Sequence, residues 1–172
     1  MNLSDEILLE HSKRQKDKIV RWVGDDKNRF AELMNLFLRG EYRVTQRAAW
    51  SISYCVGNHP PLAKPWLRKM LLKTQEPGVH GSVKRNVLRL LQDIEIPKSL
   101  FGLAANISFQ FLSNAKEPIA VRVFSMSVLA KIAKHEPDLK NELKMMIEDL
   151  MHHESAGIKS RGRKVLKELA KF

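Results

Sequence analysis

Four arginines set the period of this chain. Arg47, Arg85, Arg122 and Arg161 follow one another at intervals of 38, 37 and 39 residues. Each falls near the start of a segment whose apolar residues recur at helical spacing, and a second such segment lies in each interval. A repeat of about 40 residues at two helices per unit is the mark of an α-solenoid, in which each unit buries its apolar face only against its neighbours. Other features share the phase. Proline closes three of the arginine-bearing segments, in Asn58-His59-Pro60, Ile96-Pro97 and Glu136-Pro137. An acid stands ahead of every arginine, at Glu41, Glu76, Glu117 and Glu154.

The helices follow from caps, stops and apolar spacing. Ser4 is a candidate cap, and Gly24 a stop, for one helix over residues 5–23, whose middle from His11 to Lys18 is wholly polar. Only its apolar ends are then expected to pack. Asp26 and Gly40 bracket a second helix, with Phe30, Leu33, Met34, Phe37 and Leu38 on one face. Further helices are expected near 44–56, 62–74 (with Pro65 in the first turn), 82–94, 99–112, 119–134, 139–153 and 159–171. The segment 99–112 is the most apolar and is expected to be the most buried. No alternating strand pattern with turn chemistry appears.

The segment Ile119-Ala120-Val121-Arg122 through Leu129-Ala130-Lys131-Ile132 resembles the second helix of a HEAT repeat. Val83-Lys84-Arg85 through Leu90-Leu91 is a looser match. The resemblance implies an all-α superhelix of about four HEAT-like helix pairs plus an N-terminal helix, in one domain over residues 1–172. The N-terminal helix would span 4–24 and the repeats about 26–57, 58–96, 97–136 and 137–172. It also implies a structural ladder between neighbouring repeats, in which Glu41, Glu76, Glu117 and Glu154 pair with Arg47, Arg85, Arg122 and Arg161. The acids precede their arginines by unequal distances, so the four pairs need not be equivalent.

Charge points to an acidic partner. The net charge is +11, and residues 47–100 hold nine Lys/Arg against three Asp/Glu. Residues 156–172 hold six against one. Such asymmetry suits a partner protein with an acidic surface, or the backbone of a nucleic acid. Solubility alone is the plainer alternative. The residues expected on the concave face are Arg47, Trp50, Lys84, Arg89, Lys131, Lys134, Lys159, Arg163 and Lys164. Trp50 is the notable one, because an exposed aromatic beside a cation suits a nucleobase or an acidic peptide.

Catalytic signals are lacking. There is no Gly-rich phosphate loop and no His-Glu-x-x-His, and Ser51, Ser53 and Ser125 have no strained turn around them. Asp149 and His152 stand at metal-ligand spacing, but on a single helix. Cys55 among apolar neighbours reads as a packed thiol. The fold and charge also resemble the HEAT-like DNA alkylation-repair glycosylases. Their site needs a carboxylate near aromatics and arginine, and residues 44–75 contain no Asp or Glu, so no catalytic residue carries over. The expectation is a non-catalytic, cytoplasmic scaffold with no cofactor, no metal and no membrane segment. Its concave basic face would bind an acidic protein, with nonspecific DNA-backbone binding as the alternative.

Overall fold

The computed structural model describes residues 1–172 as ten α-helices joined by short turns, with no strand. Two compact sets of helices are formed, Met1–Ile94 and Glu95–Phe172.

The first set begins with a correction. The single helix expected over residues 5–23 is two, α1 (Leu3–Leu9) and α2 (Lys13–Val23). Glu10 is extended, and Ser12 caps α2 by accepting from Gln15 N at 3.1 Å. Asn2, not Ser4, caps α1. The polar stretch therefore contains a break, and it is also partly buried. Gln15 sits under α1, donating from Nε2 to Glu6 O at 2.7 Å and to Glu6 Oε2 at 2.6 Å. Gly24 ends α2 in the left-handed region at φ +53°, where a side chain would be strained.

Asp26 caps α3 (Lys27–Arg39) by accepting from the amides of Asn28 and Arg29. Phe30, Leu33, Met34 and Phe37 are fully buried against α4 (Tyr42–Asn58). Burying a phenylalanine contributes about 1.5–3 kcal/mol, so this seam anchors the set. Thr45 Oγ1 donates to Phe37 O and Gly40 O, closing the turn between the two helices. The next helix, expected from residue 62, starts only at α5 (Leu67–Lys73). Pro60, Pro61 and Pro65 remove amide donors ahead of it, and a short 3₁₀ turn over Pro60–Ala63 takes their place. The set closes with α6 (Gly81–Asp93), which lies on α4. α4 is the hub: α1, α2, α3 and α6 all pack on it.

The second set consists of α7 (Phe101–Ser113), α8 (Ile119–Ala133), α9 (Asp138–His153) and α10 (Ala156–Leu169). Here α8, not the more apolar α7, is the more buried helix. It packs against α7, α9 and α10, whereas Phe101, Leu103 and Phe109 of α7 remain half-exposed. Gly162 lets α10 approach α9 closely. A Cβ there would lie 3.0 Å from both Ile147 Cγ2 and Met151 Sδ.

Candidate binding face

The outward side of α4 carries Arg43, Arg47, Trp50 and Tyr54 at i, i+4, i+7 and i+11. Its inward side buries Ala48, Ile52, Cys55 and Val56. On α6, Arg85 and Arg89 stand four residues apart and both are exposed. Arg89 reaches Tyr54: Nη2 donates to the phenol oxygen at 3.3 Å, and the guanidinium carbon lies 4.6 Å from the ring centroid. Lys16 reaches the same ring from α2, its Nζ 3.5 Å from the centroid. That ammonium is also 5.8 Å from the Trp50 ring and pairs with Asp17. His11 meets Trp50 edge-on at 5.5 Å. Three helices thus converge on two aromatic rings and place two cations on one of them. Each cation–ring contact is worth about 0.5–2 kcal/mol, more as water is excluded. The Lys16 side chain is only 4% exposed. The hydrogen bond from Arg89 holds the Tyr54 phenol below its ordinary range.

Of this cluster the sequence pointed to Trp50, Arg47 and Arg89. It missed His11, Lys16 and Tyr54. The i, i+4 step from Trp50 to Tyr54 was the one signal available, since Lys16 sits in a run that looks solvated. Lys84 is half-buried and lies about 100° round α6 from Arg85. Lys131, Lys134, Lys159, Arg163 and Lys164 all belong to the second helical set. There Lys134, Arg163 and Lys164 are exposed and Lys159 half-exposed. Lys131 instead lines a cavity of about 280 Å³ with Glu95, Lys98, Phe101 and His135, the last two rings stacked at 5.5 Å.

The arginine column has several kinds of partner. Arg122 is buried, donating from Nε to Leu112 O at 3.0 Å and from Nη2 to Glu154 Oε1 at 2.7 Å. Its carboxylate thus comes from the following helix pair. The bond from Arg122 holds the Glu154 carboxyl below the usual range. Arg47 does not pair with Glu41. Its Nη1 donates to Ile7 O and Leu8 O at 3.2 and 2.9 Å, satisfying the carbonyl end of α1. Glu76 pairs with Lys73 at 2.6 Å and not with Arg85, which is exposed and forms no ion pair. Arg161 donates to Ser127 Oγ on α8. Glu117 is half-exposed in the turn before α8. Arg47 and Arg122 each meet carbonyls at the C-terminal end of a helix, whereas Arg161 meets the middle of α8.

Burial pushes the Cys55 thiol up to about 12, far from the thiolate that a nucleophile requires. No group of three or more His, Cys, Asp or Glu side chains is placed to hold a metal ion. No helix is long and apolar enough to cross a membrane.

A family of HEAT repeat domains matches residues 3–169. No curated protein and no solved structure matches the chain. HEAT repeat domains are in general non-catalytic scaffolds that commonly bind proteins. With matching helix pairs and nearly the whole length covered, the chain belongs to the HEAT repeat family.

Proposed function

We propose that this chain is a non-catalytic HEAT scaffold that binds an acidic segment of a partner protein across α4 and α6. The observation that carries this reading is the Arg89 guanidinium set over Tyr54, beside the half-exposed Trp50. Arginine with tyrosine or tryptophan is the side-chain set that most often dominates protein interfaces. The ring holds the guanidinium in place, so less rotamer freedom is lost when a carboxylate arrives. Arg43 and Arg85, exposed and without ion pairs, add positive charge on the same two helices. An acidic segment is favoured over a stacked nucleobase, because two cations already sit on the Tyr54 ring and a base would have to displace one.

The test uses the full chain and a fluorescent Glu/Asp-rich peptide containing one tryptophan, followed by anisotropy. Micromolar or tighter binding that weakens at least about tenfold in Arg89→Ala and in Trp50→Ala supports the reading. Both variants should remain folded at the assay temperature by circular dichroism, although each loses ring contacts worth up to about 2 kcal/mol. Equal affinity in the parent and both variants, or no binding even at low salt, would overturn it.

A further inference from the structure

The surface charge of residues 95–172 is divided by helix. α9 carries Asp138, Glu142, Glu148 and Asp149 against Lys140 and Lys144, and Lys144 is paired with Glu148. α10 carries Lys159, Arg161, Arg163, Lys164 and Lys167, with Lys171 just beyond its end, against Glu168 alone. Arg161 is turned to Ser127 on α8. Arg163, Lys164, Lys167 and Lys171 are exposed and form no ion pair, although Glu168 stands one turn from Lys164.

Helix geometry puts these charges on one side. The apolar face, Ile158, Gly162, Val165 and Leu169, is buried. At 3.6 residues per turn, Arg163, Lys164 and Lys167 fall within an arc of about 100° opposite that face. The other helical residues in the arc are Ala156 and Ser160, so it contains no aromatic or large aliphatic side chain. Solubility does not require this arrangement, since dispersed charges serve it as well and like charges brought together repel.

The composition of the arc selects the partner. A protein interface centres on aromatic or aliphatic anchors, and single-stranded nucleic acid is held by stacking on aromatic rings. A membrane-surface helix needs a free apolar face, and that of α10 is committed to the core. A duplex backbone needs only cations, set along a line and free to displace counterions. We propose that the outward face of α10 binds the phosphate backbone of duplex nucleic acid without reading sequence. This surface belongs to the second helical set, and the proposal does not rest on the reading of the α4–α6 face.

The experiment is anisotropy of the full chain with a labelled DNA duplex over a series of salt concentrations. Binding is expected at low salt, with a log–log slope of about −2.7 to −3.6 for three or four phosphates. The triple variant Arg163→Gln/Lys164→Gln/Lys167→Gln should bind at least about tenfold more weakly, with the slope reduced by about 2.7. All three positions are exposed, so its circular dichroism and melting should match the parent. Lys64→Gln/Arg68→Gln, at exposed positions just before and within α5, should bind the duplex as the parent does. The proposal is overturned if the parent fails to bind at low salt or the triple variant binds equally well. It is likewise overturned if polyglutamate at matched charge displaces the duplex as readily as unlabelled DNA, which would assign the face to an acidic protein.

Discussion

Arg122 joins two helix pairs through Glu154: Nη2 to Oε1 is 2.7 Å, with 4% and 17% of the two side chains exposed. The same guanidinium donates to Leu112 O at the end of α7. Removing one partner of a buried pair leaves the other uncompensated, at about 3–5 kcal/mol. Arg122→Ala should therefore lower stability by about that amount in urea unfolding, and Glu154→Gln by less, because a neutral acceptor remains. An Arg122→Ala midpoint within error of the parent would sink this account.

The same pair sets an acid limit. Glu154 has a folded-state pKa below its unfolded value because Arg122 donates to it. Its contribution is thus fully present above the ordinary carboxylate pKa of about 4.3 and is lost as pH falls through the lower folded value. The stability gap between the parent and Glu154→Gln should be constant from neutral pH to about pH 5 and shrink below pH 4. A gap that persists unchanged in acid would show that the carboxylate charge is not what matters.

Tyr54 reports on the candidate binding face. Its phenol should ionise below the ordinary tyrosine range, since Arg89 donates to it and Lys16 lies over the ring. In a Tyr42→Phe background, ultraviolet titration of tyrosinate isolates this group. Adding Arg89→Ala should move the transition upward. No movement would mean that the guanidinium does not hold its place in solution.

Ser108 offers a gain. Its hydroxyl is fully buried in α7 and has no hydrogen-bond partner. Leaving such a group unsatisfied costs about 1–3 kcal/mol, so Ser108→Ala should stabilise by about 1 kcal/mol. A fall in the denaturation midpoint would show that the hydroxyl is satisfied after all.

Much of the helix order was legible because its signals are local. Asp26 and Gly24 act within a few residues of where they stand, and the prolines delimit helices wherever they fall. The break at Glu10–Ser12 was not legible, because a polar break and a polar helix surface have the same composition. Nor was Lys16, whose burial is made by Trp50 and Tyr54 on a helix far along the chain. The arginine column was visible as a phase. Its partners were not, since Arg122 meets Glu154, 32 residues on, only through the packing of helix pairs. α7 is the more apolar helix on average, but apolar residues run more evenly round α8, and that all-round pattern was the signal for neighbours on more sides.

The contact between Arg47 and α1 has a consequence for how the protein opens. Seven residues are too few for a helix to persist alone in water. α1 is held from outside, by Leu3 and Ile7 in the core and by one guanidinium on its last carbonyls. It is therefore a dependent segment, formed after α4 and released before it. Its amides should exchange with solvent deuterium by a sub-global opening, while those of α4 wait for the whole set to unfold. Because that guanidinium also lies one turn from Trp50, whatever occupies the α4 face will bear on the clasp that keeps the N-terminus folded.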